Sequence, residues 1–270
     1  MSAHSRPGKR AYLLVTLFLC LLVVLPFLFW YFTWFGRPLT DQEITEYLSD
    51  TAKPRHAQHA LVQIGERLSR GERSARQWYP KVAALAGSPV VELRQTAAWI
   101  MGQDHSYDPF HEALRKLLTD PAEMVRRNAA LALSNYHDPA AREELVAMLR
   151  PYTIRSDQAG KVQYRLRLGE FVNPGTLVAR VGATEVRAEV PGEVREISQR
   201  DGMTVQPGDG LAEIGANKDH AWEALRALWS VGERADLDDV RRYARGVPGM
   251  PEQVQQQAVL TAQAIESRGK

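Results

Sequence analysis

The sequence predicts a multidomain chain of α and β structure: a single transmembrane helix, an α-solenoid of stacked helix pairs, and a small all-β module inserted into that solenoid. Three observations carry this. Residues 11–36 form an apolar run without a charge. Ser88-Pro89…Leu93-Arg94…Ala97-Ala98-Trp99 returns 32 residues later as Asp120-Pro121…Val125-Arg126…Ala129-Ala130-Leu131, and again as Pro251…Val254…Ala258-Val259-Leu260. Between the second and third of these passages lies another that repeats itself at a 33-residue offset: Gly169, Val172, Pro174, Gly175, Ala179 and Gly182 map onto Gly202, Val205, Pro207, Gly208, Ala212 and Gly215. Repeats turn the functional question from an active site to the surface that a stack presents.

The apolar run is long enough to cross a hydrocarbon layer of roughly 30 Å as a helix. Pro26 is tolerated there with a kink, and Trp30, Tyr31 and Trp34 suit an interfacial aromatic belt. Arg6, Lys9 and Arg10 precede the run, while Arg37, Asp41 and Glu43 follow it. The positive-inside rule then places residues 1–10 in the cytoplasm and everything after residue 36 outside, the topology of a single-pass protein of a bacterial inner membrane. A cleaved signal peptide fits less well, because bulky aromatics stand where small cleavage-site residues belong.

Residues 37–157 and 217–270 read as helix pairs. Thr40 with Glu43 three residues on is a capping box. Ala57, Ala60, Leu61, Ile64 and Leu68 are spaced by three and four, as one helix face requires. Further pairs cover 79–85 with 90–101 and 110–118 with 121–133. The helix at 139–149 finds its second member only at 221–231, after the β passage. Pro54, Pro89, Pro121 and Pro251 sit where a first helical turn accepts proline. The Pro…Val-Arg…Ala-Ala pattern resembles HEAT repeats and the related armadillo-like pairs, which implies a curved stack that binds other proteins. Arg94 and Arg126 occupy equivalent places and can reach a partner carboxylate; the plainer reading is a ladder to Asp120 or similar residues of the next repeat. Trp78 and Tyr79 start a helix and are candidate surface anchors. Trp99, Trp222 and Trp229 sit at core spacing, so packing is expected of them.

Residues 158–216 switch to alternation: Val162, Tyr164, Leu166 and Leu168, then Val186, Ala188 and Val190, then Val194 and Ile197. Asn173-Pro174-Gly175, Val190-Pro191-Gly192 and Gln206-Pro207-Gly208-Asp209-Gly210 punctuate it as turns, which argues for a small sandwich or barrel. The string Val190-Pro191-Gly192-Glu193-Val194…Asp201-Gly202…Val205…Pro207-Gly208-Asp209…Leu211-Ala212…Ile214 resembles the lipoyl/biotinyl-like barrel-sandwich hybrid. That fold serves carrier domains and periplasmic adaptors of export systems. The resemblance implies that a carrier would display a modified lysine on the hairpin at Gly182-Ala183-Thr184-Glu185. No lysine occurs between Lys161 and Lys218, so the module is expected to be unmodified and without a cofactor. Adaptors insert a helical hairpin at that point, and here there is only a tight turn.

Chemistry is sparse. The 34 basic and 32 acidic residues leave a net charge of +2 with no basic block, which argues against nucleic acid. The single cysteine, Cys20, excludes an internal disulfide, c-type haem and a four-cysteine cluster. His105, Asp108, His111 and Glu112 match no metal spacing, His56 and His59 share a helical face and are expected to be an exposed or capping pair, and Ser134 to Asp138 lack a nucleophile elbow. No catalytic residue, metal ligand, cofactor or small-molecule substrate is expected. The chain is expected to be a non-catalytic, membrane-anchored scaffold or accessory subunit of a larger bacterial membrane complex, respiratory or photosynthetic electron transfer being plausible hosts. Its expected partners are integral membrane subunits and extracytoplasmic proteins. The alternative is a divergent periplasmic adaptor of an export system.

Overall fold

The computed structural model describes residues 9–33, 37–50 and 53–268. The chain opens on helix α1 (Lys9–Thr33), with Pro26 inside it. The expected transmembrane helix is corrected here: among the described residues no helix is long and apolar enough to cross a membrane. The described side chains of α1 are exposed and mostly apolar, Leu13, Phe18, Val23 and Phe27 among them.

Helix pairs follow. The first joins α2 (Asp41–Tyr47) to α3 (Pro54–Ser69). Its capping box forms as the sequence requires: Thr40 Oγ1 accepts from the Glu43 N–H at 3.2 Å, and Glu43 Oε2 accepts from the Thr40 N–H at 2.8 Å. The next two pairs are α4 (Tyr79–Ala84) with α5 (Val91–Met101), and α6 (Asp108–Leu117) with α7 (Glu123–Ser134). Helix α8 (Arg142–Leu149) then leads into eight strands before the helices resume. Its neighbour is nonetheless α9 (Lys218–Val231), and α10 (Leu237–Ala244) packs on α11 (Glu252–Arg268). The second members α3, α5, α7, α9 and α11 lie side by side in that order. Small residues permit this: Ala97, Ala98, Ala129 and Ala130 are wholly buried, and a Cβ on Gly102 would stand 2.7 Å from that of Ala132. A single apolar cluster runs through the stack, from Leu39 to Ile265.

The strands are β1 (Tyr152–Arg155), β2 (Gly160–Tyr164), β3 (Phe171–Val172), β4 (Leu177–Val181), β5 (Thr184–Arg187), β6 (Gly192–Ile197), β7 (Thr204–Val205) and β8 (Gly210–Gly215). They form two four-stranded antiparallel sheets, β1-β8-β6-β3 and β5-β4-β2-β7. A separate apolar cluster fills them, including Val162, Val178, Val194, Leu211 and Ile214. The 33-residue duplication is visible in three dimensions. Strands β3 and β4 recur as β7 and β8, and Gly175 and Gly208 adopt φ of +87° and +90°. That left-handed turn is open to glycine at little cost and strains other residues. Tyr152 to Arg155, placed among the helical residues by the sequence, pair with Ile214 to Gly210 of β8 and so begin the β module. Leu168, counted in the alternation, is 66% exposed in the loop before β3.

The first sheet and its flanking loops face the helices. Arg195 of β6 donates to the Ala216 carbonyl at 2.8 Å and to Met250 Sδ at 3.8 Å. Arg127 of α7 is buried beside Glu123 and donates to the Pro191 carbonyl at 3.4 Å. Phe171 meets the His220 ring edge-on at 6.1 Å.

Candidate functional site

The side-by-side second helices leave a concave groove of about 1100 Å³ between α5, α7, α9 and α11. Trp99 and Trp229 line it with half of each side chain exposed (50% and 53%), and Leu131 and Leu260 add apolar surface. Exposed tryptophan is uncommon enough to mark a binding surface when two indoles share one concavity. Their positions are set by the scaffold. A Cβ on Gly65 of α3 would lie 2.4 Å from Trp99 Cζ3, so the indole rests on a residue without a side chain. Asn128 Nδ2 donates to the Gln95 carbonyl at 3.1 Å and Asn135 Nδ2 to the Gly102 carbonyl at 3.0 Å, pinning α7 to α5. His137, at φ +54°, bonds Ser230 Oγ through Nδ1 at 2.6 Å and ties the groove's rim to α9. The remaining lining is amide-rich (Gln103, Gln257) with one carboxylate, Glu223, and one guanidinium, Arg226. Burial, with Asp219 nearby, pushes the Glu223 carboxyl upward, and Arg226 opposes that. Such a surface offers stacking faces and neutral hydrogen-bonding groups, and few charges to hold a polyanion.

Both indoles were expected in the core, and the structure corrects this. Trp99 stands two residues from buried Ala97, about 200° away around a helix, so the wheel already set it off the buried stripe. Trp229 lies four residues after buried Leu225, and no spacing argument distinguishes it from a core residue. Trp222 is partly buried against the helical core, as expected.

The residues singled out for interaction fall elsewhere. Trp78 and Tyr79 are 1% and 2% exposed, which corrects their reading as surface anchors. Trp78 Nε1 donates to Thr45 Oγ1 at 2.9 Å, and the Tyr79 hydroxyl donates to Asp104 Oδ2 at 2.6 Å; each polar tip finds a partner toward the surface while the ring fills the core. Burial and the Asp104 hydrogen bond push the Tyr79 hydroxyl upward. Arg94 and Arg126 belong to a ladder between repeats. Arg94 clasps Asp120 through two bonds of 2.6 and 2.9 Å and caps the Ser88 carbonyl at 2.8 Å. Arg126 reaches Glu144 at 3.1 Å and the Asp120 carbonyl at 2.8 Å. Asp138, bonded by Arg115 and by His111 at 2.7 Å, and Arg142, which bonds Asp236 at 2.9 and 3.1 Å, continue it. The membrane-interface expectation rests on Trp30, Tyr31 and Trp34; the side chains of the first two, and all of Trp34, lie outside the described residues.

Among the described residues no group of three or more His, Cys, Asp and Glu is placed to hold a metal. His111 stacks on Tyr136 at 4.9 Å, and His56 stacks on Tyr47 at 4.3 Å. Ser134 Oγ donates to the Leu131 carbonyl at 2.7 Å, away from His137, whose bond goes to Ser230.

No curated protein matches the chain. A family model described as HEAT repeats matches residues 79–159, the span from α4 to just past β1, which makes this stretch a helical repeat region of the kind that typically serves as a non-catalytic scaffold.

Proposed function

We propose that the chain is a protein-binding scaffold whose groove holds an extended segment of a partner polypeptide. The observation that carries this is the pairing of two half-exposed indoles in one concavity built by the repeats. Amides from Gln103, Asn128, Asn135 and Gln257 supply main-chain hydrogen-bonding capacity, and the near absence of net charge suits a polypeptide. The strands form a second, independent unit on this reading: an unmodified lipoyl-like module projecting from the stack. Two four-stranded sheets related by duplication and a hairpin without lysine support it. The exposed apolar helix α1 needs cover, and its place is at a bacterial inner membrane, where the chain serves as accessory subunit to a larger complex of integral membrane proteins.

The test is recovery of tagged full-length chain from native membranes in mild detergent, compared with the double variant W99A/W229A. Both indoles are half exposed, so the variant keeps the fold. A partner recovered in stoichiometric amount with the wild type and lost with the variant supports the reading. Equal recovery with both, or recovery of the chain alone, overturns it.

A further inference from the structure

The well-mixed charge of the sequence conceals a segregated face on the β module. Strands β2, β4 and β5, with Arg165 just past the end of β2, place Lys161, Gln163, Arg165, Arg180, Glu185 and Arg187 on the side turned away from the module's core. Alternation fixes this along β2, where Val162 is buried and the Tyr164 hydroxyl reaches inward to the Leu211 carbonyl at 2.8 Å. Register fixes it across the sheet, where Gln163 pairs with Arg180 and Arg180 with Glu185. All six residues are exposed. The face thus carries four cations against one carboxylate, more than the whole chain's excess of +2. The other sheet carries Glu193, Glu196 and Glu213 on β6 and β8, and it is this sheet that sends Arg195 to the helices. The basic face is the free one.

We infer that this sheet face docks an acidic segment of a partner protein, in extended conformation along β2. The face already demonstrates the mode of recognition: Arg180 and Arg187 hold the Glu185 carboxylate between them at 2.9 and 2.6 Å. Among the described residues, the Lys161 ammonium and the Arg165 guanidinium meet no carboxylate. They stand four residues apart, Lys161 in β2 and Arg165 just past its end, and Gln163 lies between them. Side chains at alternate positions of an extended chain recur about every 6.6 Å, so carboxylates at alternate or every fourth position of an acidic strand match that row. Guanidinium binds carboxylate bidentately, which gives direction as well as charge. The chemistry of the face disfavours other polyanions. Its exposed row has no aromatic ring on which a base would stack, and the exposed large apolar side chains of the module, Leu168, Phe171 and Met203, lie outside this row.

This docking surface stands independently of the groove and survives if the groove reading fails. Its test uses the full chain in non-ionic detergent and a fluorescein-labelled peptide of about twelve residues alternating Glu and Thr, read by anisotropy. Binding is expected, with affinity falling about tenfold or more in K161E/R165E, and falling between about 50 and 300 mM salt as screening shortens the reach of the charges. The substituted residues are exposed and unpaired, so the variant's thermal melt matches the wild type; R165Q, which removes one charge without reversing it, is expected to lie between. The inference is overturned if the peptide binds no better than its Gln/Thr counterpart, or if K161E/R165E binds it equally well. It is also overturned if Arg165-dependent binding is seen with phosphatidylglycerol vesicles or an oligonucleotide but not with the peptide.

Discussion

Replacing Asp120 by alanine removes three bonds at once: two from the Arg94 guanidinium, at 2.6 and 2.9 Å, and one from the Ala122 N–H at 2.9 Å that starts the turn into α7. The two charged side chains are 11% and 5% exposed, so water does not readily take the place of the lost carboxylate. Breaking a buried ion pair by deleting one partner costs about 3–5 kcal/mol. Arg94 keeps its bond to the Ser88 carbonyl and a little solvent access, which places the expected loss at about 3 kcal/mol. At 2–4 °C per kcal/mol for a domain of this size, the melting temperature falls by roughly 6–12 °C. Urea titration followed by far-ultraviolet circular dichroism measures the change. R94A is expected to cost at least as much, because it strands a carboxylate that is almost wholly buried. The double variant then falls short of the sum by about 2 kcal/mol. Additive effects, each below about 0.5 kcal/mol, would refute the ladder as a structural tie between repeats and make Arg94 and Asp120 an ordinary surface pair.

The ladder also sets an acid limit. The bond from Arg94 holds the Asp120 carboxyl below its ordinary value, Arg115 does the same for Asp138, and at Asp104 burial pushes upward but bonds from Ser106 and Tyr79 hold it down to about 2. A folded pKa below the unfolded one gives stability that is complete above about pH 4 and drains as pH falls through the folded value; unfolding free energy measured from pH 7 to 2 is expected to be flat and then to drop below pH 4, with a shallower drop in D138N. Gly65→Ala drives a methyl into the Trp99 indole and is expected to cost about 1–3 kcal/mol while changing tryptophan fluorescence; an unchanged spectrum contradicts the placement of that ring. Gly175→Ala and Gly208→Ala occupy equivalent left-handed turns, so each is expected to cost about 1–2 kcal/mol, and a large inequality in their melts contradicts the duplicated geometry. Leu114→Ala empties a fully buried site in α6 and is expected to cost about 2–5 kcal/mol in the same urea assay.

Local signals were the most legible in the sequence. Thr40 and Glu43 announce their capping box because both partners lie within one turn, and the duplicated glycines announce their turns because side chains exclude most other residues there. The resumption of the solenoid after the strands was also readable, since α8 lacks a second member until α9. What depends on register or curvature was not. Tyr152-Thr153-Ile154-Arg155 is too short to declare itself a strand, and its partner β8 begins more than fifty residues later. Arg180 and Arg187 join Lys161 and Arg165 only across strands, so composition showed mixed charge where the sheet shows a basic face. Trp229 shares its spacing with the core residues of α9, and only the bend of the stack separates a concave wall from an interior, whereas Trp99 stands opposite the buried stripe of α5 and the wheel could have set it apart. Trp78 and Tyr79 failed in the opposite sense: helix-start position suggested exposure, but the preceding 3₁₀ turn folds both rings inward.

A photo-crosslinking amino acid placed at Leu131 or Leu260 within the groove, or at exposed Lys116 on the outer helix α6 as control, tests the scaffold reading most directly. In native membranes, adducts to the same partner are predicted from both groove positions, absent from Lys116 and abolished by Trp229→Ala. Adducts that ignore the tryptophan, or that form equally from Lys116, would contradict the groove as the surface on which this protein binds.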